Sequence, residues 1–198
     1  MENSIRQDKD RLKLFKKYGY NIPKARTYIL RKAGLTKGSI LEIGTGRGHM
    51  AAALARRGFK LVSIDLDRQA QKAAGKSLRS MKLGGSVTLK IMDAEKLRFK
   101  DAFFDHVISV NFIHHAKHPV KCLKEMVRVA KKRLVIADFN RRGERIAEKI
   151  HRLDGHGHPR TKLSFKSAKM LLRKLGLAVN IYYDVCQTVL IAKKGDAR

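Results

Sequence analysis

Tryptophan is absent, and cysteine, proline and acidic side chains are scarce. Cys122 and Cys186 are the only cysteines, too few for a disulfide framework or a cysteine metal cluster. Such a chain suits a reducing compartment. Three prolines, and no stretch rich in Pro, Gly and Ser, leave nothing that divides the chain into separate units. No apolar run approaches the roughly 20 residues that span a bilayer; the longest, Met50 to Ala55 and Val189 to Ala192, are far shorter. The opening MENSIRQDKDRLKLF is charged throughout and lacks the apolar segment of a secretory signal. The expected location is the cytoplasm. Acidic residues number 17 against 45 lysines and arginines, a net charge of +28 over 198 residues. That excess sits along the whole chain, with mild enrichment at both ends. It has two readings: a solvated surface, or a surface for RNA or another polyanion.

The rest of the composition is that of a globular domain. Short apolar runs alternate with helical patterns. Ser39–Ile43, Lys60–Ile64, Val87–Met92, Phe104–Val110 and Arg133–Ala137 read as strands. His49–Arg57, Arg68–Met81 and Pro119–Ala130 read as helices, the last with Val120, Leu123, Met126 and Val127 at helical spacing. Strands separated by helices pair in parallel through right-handed crossovers. The end differs. After a helix over Ser164–Leu175, Ala178–Val185 and Thr188–Ala192 follow each other so closely that only an antiparallel hairpin joins them. The expected division is a basic helical extension over 1–37 and a Rossmann-like domain over 38–198. Within the extension, Ile5 to Tyr20 reads as a basic helix. It either lies across the ligand mouth with Tyr18 or Tyr20 reaching in, or simply packs.

The chemistry starts at Leu41-Glu42-Ile43-Gly44-Thr45-Gly46-Arg47-Gly48-His49-Met50. Glycines between a strand and a helix permit a tight turn with positive φ and let a ligand approach the backbone; the helix that follows offers unpaired N–H groups. About 20 residues on, at the end of the next strand, Asp65 can accept both hydroxyls of an adenosine ribose. Dinucleotide sites use G-x-G-x-x-G, which would put glycine at position 49. That residue is His49, and Glu42 stands two residues before the first glycine. A carboxylate there suits an ammonium and a sulfonium better than a pyrophosphate. The ordered set Glu42, Gly44, Gly46, Gly48, Asp65 and Asp93 therefore points to S-adenosylmethionine.

On these residues the chain resembles the class I S-adenosylmethionine-dependent methyltransferases, in the group that includes ubiquinone and menaquinone biosynthesis enzymes. Further motifs carry the likeness: Asp93-Ala94-Glu95-Lys96-Leu97-Arg98-Phe99 after strand three, Phe104-Asp105-His106-Val107 in strand four, and Ile113-His114-His115-Ala116-Lys117-His118-Pro119 after it. Glu125, Arg128 and Val129 match the helix before strand five, but Ala130-Lys131-Lys132-Arg133 replaces the usual Pro-Gly-Gly turn, which shortens the approach to that strand and leaves its register open. The resemblance implies a doubly wound, mostly parallel seven-stranded α/β sheet with helices on both faces and an antiparallel C-terminal hairpin. It also implies cofactor contacts from the turn, Thr45 included. Leu66 would lie beside the adenine, Asp93 would accept from its amino group, and Ala94 would offer backbone.

A sulfonium methyl needs an acceptor that is close, oriented and desolvated. It needs a base only if the acceptor must lose a proton. His114 and His115 follow strand four, where the methyl should emerge, and are the candidate bases; alternatively one packs on the cofactor and the other faces solvent. Asn111 is placed to contact the methionine moiety. The histidine-rich run 151–160 fits no metal-ligand spacing; it reads as an acceptor-side loop or a plain solvent loop, and no metal is expected. Ser109-Val110-Asn111-Phe112-Ile113 lacks the prolines that base-nitrogen methylating enzymes carry after strand four, and neither cysteine is placed for pyrimidine C5 chemistry. Three functions remain: methylation of a small molecule at O, N or C; methylation of RNA or a ribosomal or other polyanionic substrate; and cofactor binding without catalysis.

Overall fold

The computed structural model describes residues 2–153 and 163–195. Seven strands form one sheet: β1 (Ile40–Ile43), β2 (Leu61–Asp65), β3 (Val87–Ile91), β4 (Phe104–Val110), β5 (Ala130–Phe139), β6 (Ala178–Tyr183) and β7 (Gln187–Lys193), in the order β3-β2-β1-β4-β5-β7-β6. The first five are parallel. β7 runs antiparallel between β5 and β6. The strand order reverses between β1 and β4, and in open α/β sheets ligands bind outside the carboxyl ends of the strands at that switch. Gly44 follows β1 there, and Asn111 follows β4.

Two helical layers cover the sheet. α2 (Ile22–Ala33), α3 (His49–Ala55) and α4 (Arg68–Ser80) pack on one face through Ile29, Leu30, Leu54 and Leu78. α5 (Pro119–Val129) and α7 (Phe165–Lys174) pack on the other through Leu123, Met126, Ala168 and Leu172. Six of the seven residues of α3 are buried, four of them alanine, so small side chains let this helix approach β2 closely. α1 (Glu2–Lys17) and α6 (Arg141–Leu153) close one end, where Phe15, Tyr20, Ile146 and Ile150 form a third cluster.

Three local readings change. α2 was not legible as a helix of its own, yet Asn21 caps it by accepting the Lys24 N–H, Pro23 sits in its first turn and Gly34 ends it at φ 52. α6 was not read either; its apolar side is only Ile146, Ala147 and Ile150, among many charges. β5 starts three residues earlier than its hydrophobicity suggests, directly after α5. Phe104 pairs with Ala130 but His106 with Arg133, so β5 carries one residue more than β4 over this step. That bulge absorbs the missing turn. The Arg133 side chain then reaches back to donate to the Ala33 and Gly34 carbonyls that end α2.

Candidate cofactor and acceptor site

Gly44, Gly46 and Gly48 all have positive φ, 86°, 49° and 78°. Their reasons differ. A Cβ on Gly44 would lie 2.8 Å from Phe112, and one on Gly48 3.1 Å from Ala74, so these two glycines let neighbours close in. A Cβ on Gly46 would meet nothing within 4 Å. The turn is open there, with room for a ligand to approach it closely. The N–H groups of Gly44 and Thr45 both donate to the Ile64 carbonyl, which locks the turn onto the end of β2.

Asp65 ends β2 beside that opening. Its carboxylate accepts the Gly46 N–H at 2.8 Å and the Asp67 N–H at 3.1 Å. An ionised carboxylate has about four acceptor positions, so capacity remains for a ribose diol. Leu66 follows with 67 % of its surface exposed, an apolar side chain at the crevice rim. Asp93 accepts the Glu95 N–H at 2.8 Å, and Ala94 is buried beneath the same loop. Arg128 pins this loop by donating to the Leu97 and Phe99 carbonyls, to Asp101 and to Glu125, which itself accepts the Leu97 N–H. The Glu125 and Arg128 pair of the fifth helix thus holds the segment that carries Asp93. The Arg128 guanidinium keeps the Glu125 carboxyl below its usual range.

Glu42 lies under the turn rather than in the crevice, 2 % exposed. Ser63 donates to it at 2.6 Å and meets Thr45 at 2.6 Å; Gln71 donates to Thr45 and to the Ser63 and Lys90 carbonyls. Burial pushes the Glu42 carboxyl up to about 8, against the lowering effect of the Ser63 hydroxyl. It is therefore mostly protonated near neutral pH, and it supports the turn rather than touching a ligand. Thr45 is likewise spent inside the turn, on Ser63 and Gln71. Arg26 of α2, which no motif signals, is half-buried and electrostatically coupled to Tyr20 and Glu42. His49 shares that corner, and burial with Arg26 and Arg47 holds its imidazole down to about 4.

Beyond β4, Asn111 adopts φ 53°, donates its N–H to the Ala137 carbonyl, and accepts from Gln187 at 2.8 Å. Gln187 also donates to the Tyr20 hydroxyl. Tyr20 is buried, and burial pushes its phenol up to about 12. It does not reach in from the mouth, as the sequence allowed. It fastens the N-terminal segment to the ends of β4 and β7. The Tyr18 ring lies under the Lys149 ammonium, 4.4 Å away.

The two histidines separate. His114 Nδ1 lies 2.6 Å from Asp138 Oδ1, and both side chains are 2 % exposed. Asp138 also accepts the His114 and Phe139 N–H groups. An acceptor-only carboxylate fixes the proton on Nδ1 and leaves the lone pair on Nε2. His115 keeps one edge to solvent, its ring 4.0 Å from that of His114. Crowding by protein on its inner side and the neighbouring His114 hold it down to about 4, so it is neutral at pH 7. Asp138, Gln187 and Ser63 were missed in the sequence. Asp138 is the penultimate residue of β5, near the carboxyl end of its strand as Asp65 is of β2, and that position was the available signal. Of the histidine-rich run 151–160, residues 154–160 lie outside the described residues. His151 lies in the last turn of α6, its Nε2 3.1 Å from the Arg11 guanidinium.

The switch-point crevice, the glycine turn and the reversed last strand together define the class I methyltransferase fold. Residues 41–136 match the family described as methyltransferase domain. This stretch is therefore similar to methyltransferase domains whose cofactor is S-adenosylmethionine. The norajmaline N-methyltransferase of Rauvolfia serpentina is 31% identical over 93 residues, 46% of this chain and 32% of that protein. The ubiquinone/menaquinone biosynthesis C-methyltransferase UbiE of Citrifermentans bemidjiense is 27% identical over 121 residues, 58% of this chain and 52% of that protein. The chain thus spans about half or less of these relatives. In fold it is similar to a SAM-dependent methyltransferase from Aquifex aeolicus, with TM-score 0.68, 21% identity and coverage of 86% and 89%. It is also similar to the [4+2]-cyclase SpnF, with TM-score 0.70, 15% identity and coverage of 86% and 80%. Fold alone does not select the reaction.

Proposed function

We propose that this protein is a cytoplasmic methyltransferase that transfers the methyl group of S-adenosylmethionine to an O, N or C atom of a small molecule, with His114 as the base. When bound, the cofactor supplies an activated methyl and a neutral leaving thioether. The Gly44–Gly48 turn takes its amino-acid portion and Arg26 its carboxylate. Asp65 takes the ribose hydroxyls, and Leu66, Asp93 and Ala94 take the adenine. Asn111 contributes its backbone, since its side chain is engaged by Gln187. The observation that carries the catalytic part is the buried His114–Asp138 pair at the carboxyl ends of β4 and β5. A histidine whose Nδ1 meets a carboxylate beside the crevice supports reading it as the group that receives the proton an acceptor loses. His115, neutral and at the rim, orients the acceptor.

The small-molecule reading is supported by the relatives, an N-methyltransferase of norajmaline and a C-methyltransferase of ubiquinone/menaquinone biosynthesis. The test is transfer of labelled methyl to a panel of phenols, amines and quinone precursors, with an RNA pool alongside. His114→Ala should lower turnover about 10²- to 10⁴-fold, the range of a lost general base, while calorimetry with S-adenosylhomocysteine stays within about twofold. Labelling of the RNA pool alone would overturn the small-molecule reading. Cofactor binding without transfer to any acceptor would overturn the enzyme reading.

A further inference from the structure

We infer that the outer face of α4, with the groove beside it, docks the phosphodiester backbone of a nucleic-acid duplex. The starting point is where the carboxylates are not. α2 and α4 carry no acidic side chain, and α3 carries neither sign apart from His49. On α4 the cations follow helical spacing: Arg68, Lys72, Lys76 and Arg79 lie at i, i+4, i+8 and i+11, all exposed. Residues four apart share one side of a helix and rise about 6 Å. The four therefore form one straight ridge. On the other face, α5 and the start of β5 pair their cations: Lys121 meets Glu95, Arg128 meets Glu125 and Asp101, and Lys132 meets Asp105. α7 also lacks acidic side chains, but it exposes Met170 among its cations and adjoins no comparable cationic groove among the described residues. Among the described residues none of the four ridge cations has a carboxylate partner.

An independent feature adjoins the ridge. Between α4 and the edge strand β3 runs an open groove of about 490 Å³, lined by Arg68, Gln71, Lys72, Leu89, Lys90 and Ile91. Arg68 and Lys72 belong to both, so ridge and groove form one cationic surface. A duplex presents a regular row of phosphates that such a surface neutralises, releasing counterions as it does so. An anionic membrane is the other polyanion to weigh. Interfacial docking buries apolar side chains along with the charges. No large hydrophobic side chain of α2, α3 or α4 is exposed; Ile91 and Leu66 are exposed, but singly, beside the groove and at the crevice rim, and form no apolar stripe with the ridge. The duplex is a partner rather than the methyl acceptor. α4 covers β2 and β3, whereas the His114–Asp138 pair lies at β4 and β5. The inference stands whether or not the small-molecule reading holds.

The experiment measures binding of a labelled RNA duplex, the matching DNA duplex and anionic phosphatidylglycerol vesicles across a salt series. The full chain is compared with Lys72→Glu/Lys76→Glu/Arg79→Glu. The control reverses the same number of charges on α7: Lys166→Glu/Arg173→Glu/Lys174→Glu. The ridge variant should lose at least about tenfold in duplex affinity near physiological salt, and its salt slope should flatten by roughly 3, about 0.9 per phosphate contact. The control should lose little of either. Calorimetry with S-adenosylhomocysteine should be unchanged in both, which separates this outcome from failure of the cofactor reading. Should the Glu variant not fold, the Gln versions of the same positions should flatten the slope without reversing charge. Equal losses in ridge and control variants would overturn the inference, since they report net charge alone. So would binding to vesicles that the ridge variant weakens while duplex affinity stays put, or labelling of the duplex itself by methyl transfer.

Discussion

The half of the sheet around β1, β2 and β3 and the half around β5, β7 and β6 prepare their sites by different means. On the first, the shape comes from the main chain. Three glycines with positive φ, two N–H groups on the Ile64 carbonyl and Asp65 on the Gly46 N–H build the cradle within about 25 residues. On the second, side chains from distant parts of the chain converge: His114 with Asp138, Gln187 with Tyr20 and Asn111, Arg11 with His151. A backbone cradle accepts a ligand whose shape is constant. A convergence of side chains from α1, α6 and the ends of β5 and β7 can be retuned one residue at a time. That division suits a domain in which the methyl donor is fixed and the acceptor varies between relatives.

The comparison breaks most visibly at Asp138. Asp138→Asn keeps the shape but lets an amide donor face Nδ1, which favours the other tautomer and takes the lone pair off Nε2. Turnover should fall about 10²- to 10⁴-fold. Cofactor affinity should stay within about twofold by calorimetry. A matching loss of cofactor affinity would show that the two halves are not independent. On the other half, Asp65→Ala removes charge-assisted hydrogen bonds worth about 1.5–3 kcal/mol each. S-adenosylhomocysteine should then bind roughly 100-fold more weakly.

The glycines sharpen the comparison within the cradle. Gly44→Ala drives a Cβ to 2.8 Å from Phe112, so it should destabilise the fold by about 1–3 kcal/mol. Gly46→Ala meets no neighbour within 4 Å. It should cost only the roughly 1 kcal/mol of a left-handed alanine, yet weaken the cofactor about tenfold or more. Thermal melting with and without S-adenosylhomocysteine separates the two. Equal loss of melting temperature in both would place Gly46 in the fold, not the site.

What was legible follows the same division. The positions of the three glycines, Asp65 and Asp93 at strand ends were readable from local spacing, and the strand-helix alternation carried the sheet; that Glu42 lies beneath the turn, bonded to Ser63, was not. Asp138 and Gln187 were not, because their partners lie 24 and 76 residues away and no spacing rule links them. α6 hid because its buried stripe, Gly143, Ile146, Ala147 and Ile150, keeps helical spacing but is narrow and made partly of small residues among many charges. Arg26 lies on α2, outside every motif, and gains meaning only from the burial that puts it near Glu42. The start of β5 was misplaced because its first residues, Lys131 and Lys132, are exposed and charged. Their place in the strand comes from the bulge against β4, a long-range feature.

The smallest expected effect is on pH dependence, and it tests whether the buried carboxylate beneath the cradle senses the ligand. Burial raises Glu42 to about 8 in the folded protein, above the ordinary carboxyl value near 4.3. The folded state thus holds a proton that the unfolded state has lost between those two values. This contribution to stability is fully present at low pH and declines as pH rises toward about 8. A cationic ligand over the turn favours the ionised form, so binding should release protons in the same window. Affinity for S-adenosylmethionine should therefore rise modestly between pH 6 and about 8, visible as a buffer-dependent heat. Glu42→Gln should flatten both the stability slope and the proton release. If the heat stays buffer-dependent in that variant, the proton comes from elsewhere, and Glu42 supports the turn through Ser63 without sensing the cofactor's charge.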